Sequence, residues 1–285
     1  MTTAHFTARN TALDRLLPRG RAAVMGILNV TPDSFSDGGR FFDSEVAIAH
    51  ARRMQAEGAD ILDVGAESTR PYGGQKPVSR DDEIARLAPV LSEIVKLGLP
   101  VSIDTIKADV AAWALEQGAA ILNDVWGLQR DPDMARVAAE HRAPIVVMHN
   151  RESADPTLDI MADVTAFLSR SLDIAGKAGI ARENVILDPG VGFGKTPEQS
   201  LTVIARLGEL RAFGLPVLMG LSRKRFIASV SPSEPNERIG GSIAGNLMSV
   251  LAGADIVRVH DVAETVQALR VMAAIRAARN EEHHG

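Results

Sequence analysis

Eight times along the chain, a short apolar run ends in a polar residue and gives way to a stretch with helical spacing. The runs are Ala22–Asn29, Ile61–Ser68, Pro100–Thr105, Ala119–Val125, Pro144–Asn150, Asn184–Gly190, Pro216–Ser222 and Ala254–Asp261. They are rich in Val, Ile and Leu and lack clean alternation, which suits strands buried on both faces of a parallel sheet. The stretches between them put apolar residues on one stripe, as Ile84, Leu87, Leu91, Ile94 and Val95 do. Several of these helices run into glycine, among them Gly179 and Gly253, where a left-handed residue can close the last turn. Eight β-then-α units in a chain of 285 residues match a single α/β domain, a (β/α)8 TIM barrel. An open doubly wound sheet is the alternative. The barrel is favoured because every strand carries its polar group at the same end: Asn29, Glu67, Asp104, Asn123, His149, Asp188, Ser222 and His260. A barrel gathers all of these around one mouth. The expected organisation is an N-terminal arm over 1–20, the barrel over 21–280 and a tail over 281–285.

Composition narrows the function classes. Net charge is −5 and the basic residues are scattered, whereas a nucleic-acid binder shows a basic stripe. The chain has no cysteine, which excludes disulfides, thiolate metal sites and a Cys nucleophile. Its first twenty residues lack a signal-peptide core, and no run reaches the ~18 apolar residues of a membrane helix. The expectation is a soluble cytoplasmic protein acting on small molecules, with no nucleic-acid or membrane partner.

Asp104, Asn123 and Asp188 would converge at the mouth and offer donors and acceptors to the edge of a flat amino-heterocycle. Each could instead cap its following helix. Arg258 and His260 alternate on the eighth strand and share a face. With Arg223 and Lys224 after the seventh strand they make an oligophosphate cradle, because barrels often bind phosphate there. The alternative is a structural ion pair of Arg258 with Asp261 or Asp255. The long polar loop Gly65–Ser79 reads as a lid rather than packing. DPGVGFGKT (Asp188–Thr196) is not a P-loop: the position five before Gly194 is Pro189.

Seven motifs together resemble one family. MGILNVTPDSFSDGG, ESTRP, IDTIKADVA, LNDVWGL, LDPGVGFGKT, LMGLSRKRF and VRVHDV occur in order between about Val24 and Asp261, and they are similar to those of dihydropteroate synthases. The resemblance implies a TIM barrel, usually a homodimer, that uses Mg²⁺. It joins para-aminobenzoate to 6-hydroxymethyl-7,8-dihydropterin diphosphate, giving 7,8-dihydropteroate and pyrophosphate in an SN1-like substitution. Sulfonamides compete with para-aminobenzoate in that family.

Carried over residue by residue, the resemblance implies that Asp104, Asn123, Asp188 and Lys224 hold the pterin, with Met148, Phe193 and Gly220 lining it. Asn29, Thr69, Arg258 and His260 would hold the diphosphate, and Asn29 would also touch the metal. Phe35, Arg70, Pro71, Phe193 and Arg225 would form the para-aminobenzoate pocket. Asp33, Lys224, Arg258 and His260 would be catalytic. The chain departs from the common pattern at Arg225, where many relatives have Ser, at Tyr72–Gln75, and at Asn150 and Arg151. A corrinoid methyltransferase would share the pterin cradle but would not need the cations or the first loop.

Overall fold

The computed structural model describes residues 13, 16–18, 20–30, 40–67 and 78–281, the side chains of 40–43 and 279–281 excepted. Its eight strands are β1 (Ala23–Asn29), β2 (Ile61–Gly65), β3 (Val101–Asp104), β4 (Ile121–Asp124), β5 (Ile145–Met148), β6 (Val185–Asp188), β7 (Leu218–Gly220) and β8 (Ile256–Val259). All pairings are parallel, in the order β6-β5-β4-β3-β2-β1-β8-β7. A parallel bridge between Leu187 and Val217 joins the two outer strands, so the sheet closes as the (β/α)8 barrel that the repeats predict.

The helices fall where the spacing puts them: α1 (Arg40–Glu57), α2 (Arg80–Val95), α3 (Ala108–Glu116), α4 (Met134–Glu140), α5 (Ile160–Ala178), α6 (Pro197–Ala205), α7 (Arg225–Val230), α8 (Ile239–Ala252) and α9 (Val262–Glu281). Helix α5 starts with Asp159 accepting from the Met161 and Ala162 N–H groups and ends at left-handed Gly179. Helix α6 starts with a reciprocal cap between Thr196 and Gln199 and with Pro197 in its first turn. Among the described residues no helix is long and apolar enough to cross a membrane.

Strand alternation decides which residues reach the barrel interior. One face carries Ala23, Met25, Ile61, Ile121, Val146, Ile186, Leu218 and Ile256, which pack together with Leu13 at the N-terminal ends of the strands. The other face sends Leu28, Leu62, Ile103, Val257 and their neighbours outward against the helices. Two residues further along the interior face come Asp63, Asn123, Met148, Asp188, Gly220 and Arg258. On β3 the same step runs from Ser102 to Asp104, and on β1 from Met25 through Ile27 to Asn29. The barrel is thus an apolar plug below and a polar layer above.

Ile121 sits in that plug with no exposed surface. Ile121→Ala should lower stability by about 2–5 kcal/mol in urea unfolding, while leaving the polar layer's ligand binding within a fewfold of the parent.

Candidate active site

The polar layer is organised around Arg258. Its Nε donates to Asp63 Oδ2 at 2.5 Å and its Nη2 to Asp104 Oδ2 at 2.8 Å. Asn123 Nδ2 donates to the same Asp63 oxygen at 3.1 Å. Asp63 is fully buried and Asp104 nearly so. The remaining oxygen of each, Oδ1, is buried without a hydrogen bond among the described residues. Two carboxylates therefore share one guanidinium and keep acceptors to spare. A buried acceptor left open is costly, so each of these oxygens suits a donor, from water or from a ligand.

The alternatives weighed from the sequence resolve differently. Asp104 and Asn123 do not cap helices: α3 is preceded by Lys107 with no side-chain cap, and the Ala108 N–H goes to Asp131. Arg258 is in an ion pair, but its partners are Asp63 and Asp104 rather than Asp261 or Asp255. Asp261 takes Arg223, from Nη2 at 2.5 Å and Nε at 3.1 Å, so Arg223 is not a free cradle cation. Asp255 accepts from the Val217 N–H.

Lys224 lies at the start of α7, directly after β7. Its Nζ donates to the Val191 carbonyl at 2.5 Å and lies 4.6 Å from the centre of the Phe193 ring. Asp188 accepts from the Gly190 N–H at 2.7 Å, which turns the chain into the loop that carries Phe193. Gly220 lies beside Lys224: a Cβ there would be in ordinary contact with the Lys224 Nζ, at 3.6 Å. Met148 ends β5 on the interior face and is almost fully buried.

The electrostatics follow from this crowding. Burial pushes Asp104 up to about 7; Arg258 opposes that, and the negative charge of Asp63 adds to it. Burial also raises Asp188, against Lys224 and the Gly190 N–H. Lys224 is pulled down to about 8 by burial, with Asp188 opposing. Burial works against the charge on Arg258, but Asp63 and Asp104 outweigh it and the guanidinium is held more firmly protonated.

His260 lies one residue beyond the end of β8. Its N–H donates to Ser222 Oγ at 3.1 Å and its Nδ1 is 3.0 Å from the same oxygen, so Ser222 orients it. Asn29 ends β1, half-buried. Arg225 opens α7 and is exposed. Asp33, Phe35, Thr69, Arg70 and Pro71 lie outside the described residues, as do Tyr72–Gln75.

Two of the polar strand ends are turned elsewhere. Glu67 takes Lys107 at 2.5 Å and the Val78 N–H at 3.0 Å. His149 is fully buried between Asp163 and Lys195, and burial pulls it down to about 3, with Lys195 adding to the shift. Asn150 and Arg151, left open by the sequence, are also accounted for. Asn150 donates to the Val125 carbonyl at 2.9 Å, and Arg151 pairs with Asp163 at 2.9 Å.

Sequence reasoning missed Asp63. The signal was present, since ILDVG sets a carboxylate between four apolar or small residues of a strand buried on both faces. Such a charge requires a partner inside the barrel.

Comparison with known proteins fixes the family. A model described as "Pterin binding enzyme" matches residues 25–260. A dihydropteroate synthase of Bacillus subtilis is 47% identical over 93% of this chain and 92% of its own length. The chain belongs to the dihydropteroate synthase family. Among solved structures, the family's enzyme from Clostridium difficile, determined in the presence of pteroic acid, superposes with a TM-score of 0.86 at 48% identity. That match covers 90% of this chain and 97% of the other. The Xanthomonas albilineans enzyme with 4-aminobenzoic acid gives 0.87 at 44% identity, covering 90% and 94%.

Because the folded Asp104 pKa lies above its ordinary value of 3.8, ionising it costs stability. Relative to Asp104→Asn, the parent should lose up to about 1.4 kcal/mol per pH unit as pH rises from about 4 to about 7, and then level off. Urea midpoints of both proteins across that range measure the difference; a constant gap would contradict the raised pKa.

Proposed function

We propose that the chain is a transferase of folate synthesis. It condenses 6-hydroxymethyl-7,8-dihydropterin diphosphate with para-aminobenzoate and releases 7,8-dihydropteroate and pyrophosphate. The observation that carries this reading is the open acceptor on Asp104. A buried carboxylate oxygen, beside Asn123 and across from Asp188, is matched by the amino and ring N–H groups of a pterin edge. The solved relatives with pteroic acid and with 4-aminobenzoic acid support the pairing of a pterin site with an aminobenzoate site.

The roles follow from the geometry. Asp104, Asn123 and Asp188 would bind the pterin edge, with Lys224, Met148 and Gly220 around it. The pterin methylene carbon loses its diphosphate: the C–O bond breaks and its electron pair leaves with the phosphate oxygen. Negative charge grows on that oxygen in the transition state, and cations fixed in place beforehand stabilise it. Arg258 would do this with its Nη1, since Asp63 and Asp104 hold the other two nitrogens. His260, oriented by Ser222, and Thr69 would add donors. The aniline nitrogen of para-aminobenzoate then attacks the methylene cation and gives up a proton.

Asp33 would stabilise the cation, and Phe35, Arg70, Pro71, Phe193 and Arg225 would enclose the aminobenzoate. A site closed to water would spare the cation from hydrolysis.

Mg²⁺ fits this site only as a shared ion. Among the described residues there is no group of three His, Asp or Glu that could hold a metal, and Asn29 offers a single neutral oxygen. Such a donor set suits an ion bound chiefly by substrate phosphate and water, with Asn29 as its protein ligand. When bound, the ion would neutralise charge on the leaving diphosphate.

We assign the working unit to the barrel of residues 21–280, acting as a homodimer in the cytoplasm. Met248, Leu251 and Val230 are exposed apolar side chains that supply surface for a partner subunit. A chain without cysteine suits a reducing compartment. Sulfonamides would compete with para-aminobenzoate.

The protein with Mg²⁺, pterin diphosphate and para-aminobenzoate should release pyrophosphate, and a rate equal to the no-enzyme control would refute the assignment. Arg258→Ala should reduce kcat/KM by about a hundredfold or more, as loss of one preorganised donor does.

A further inference from the structure

Lys195 is a buried cation that no step above uses. It is 2% exposed, and its Nζ has three neighbours: His149 Nδ1 at 2.6 Å, the Gly190 carbonyl at 2.7 Å and the Phe193 carbonyl at 3.2 Å. Asp163 Oδ2 lies 3.0 Å from His149 Nε2. A carboxylate there accepts from Nε2–H and leaves Nδ1 as an acceptor. All three neighbours of Lys195 are then acceptors, and an ammonium has three N–H groups to give. Burial pulls Lys195 down to about 7, with Asp188 opposing. The three acceptors fit its protonated form.

The two carbonyls belong to the loop after β6, which ends at Lys195 itself. From the pocket side, Lys224 Nζ takes the Val191 carbonyl of the same loop. Two amines, one buried and one half-buried, thus grip three carbonyls, and Phe193 lies between them. The loop has no slack against the segment after β5: a Cβ on Gly190, at φ +66°, would lie 1.8 Å from the His149 carbonyl oxygen, and one on Gly194 2.4 Å from Arg151 Cβ. An apolar side chain of similar length would fill the space of Lys195 without the cost of burying a charge. It could not hold the two carbonyls.

We propose that Lys195 is a positioning residue. With His149 and Asp163 behind it, it fixes the β6 loop so that Phe193 presents its ring to para-aminobenzoate, and so sets affinity for the second substrate. The step from loop to substrate rests on Phe193 being an aminobenzoate contact, as assigned under the proposed function.

Two readouts separate the links. In Lys195→Met, hydrogen exchange of residues 188–196 should accelerate about tenfold or more, as expected when a charge-assisted bond is lost; exchange elsewhere should be unchanged. In the same variant the KM for para-aminobenzoate should rise about tenfold, with kcat and pterin diphosphate affinity within about threefold. Asp163→Asn, at a partly exposed carboxylate, should move both readouts the same way by a smaller factor. It carries the test if Lys195→Met does not fold. Unchanged exchange in the loop, or equal losses for both substrates, would overturn the proposal. Faster exchange in a protein whose parent form releases no pyrophosphate would instead sink the assigned reaction and leave Lys195 as the loop's anchor.

Discussion

The bond on which the site depends is the fork from Arg258 to Asp63 and Asp104. It ties β8 to β2 and β3 across the barrel interior and occupies the centre of the polar layer. Burial pushes Asp104 up to about 7, and the negative charge of Asp63 on the same guanidinium adds to the shift against Arg258. The arrangement is poor economy for stability, because replacing buried ion pairs by apolar residues is often neutral or favourable. It makes sense for recognition. The fork pins the guanidinium, leaves one nitrogen for an anion, and leaves carboxylate oxygens for the donors of a heterocycle. Under the proposed function, one ion group would face both ends of the pterin diphosphate.

Much of this was legible in the sequence because strand alternation is a rigid rule. Once Ile61, Ile121, Ile186 and Ile256 form the plug, residues two further on must line the mouth. Asp104, Asn123 and Asp188 are legible from their places at strand ends, and Arg258 from its alternation with His260 on the eighth strand. Asp63 is less legible because it sits mid-strand, where the apolar run around it masks the one charge that interrupts it. Strand ends alone also over-predicted. Glu67 and His149 lie just past their strands, where the chain turns away, and their partners are Lys107, Asp163 and Lys195. A residue faces the mouth only where it is in phase with the interior face and still on its strand; Glu67 shares the phase of Ile61 and Asp63 but lies beyond β2.

Partner choice among the charges was the other part that sequence could not settle. Arg223, Arg258, Asp255 and Asp261 lie close in the order of the chain or its elements, and several pairings were open. The left-handed backbone at Arg223, φ +59°, directs that side chain to Asp261, while β8 points Arg258 inward. Backbone geometry, rather than charge, sorts the two arginines between a structural clasp and the site.

The closure of the barrel has a further consequence. Every other strand junction is a ladder of several paired residues, but β6 and β7 meet at the single bridge of Leu187 and Val217. Past that bridge, Asp188 stands on one bank and Gly220 on the other, with no ladder between them. Lys224 reaches from the β7 side to the Val191 carbonyl on the β6 side, and so serves as a stitch where the backbone provides none. The wall of the cylinder is therefore held shut, beside its own pocket, by a side chain assigned to the ligand. Under the proposed function, substrate contact and closure of the seam would draw on the same ammonium group.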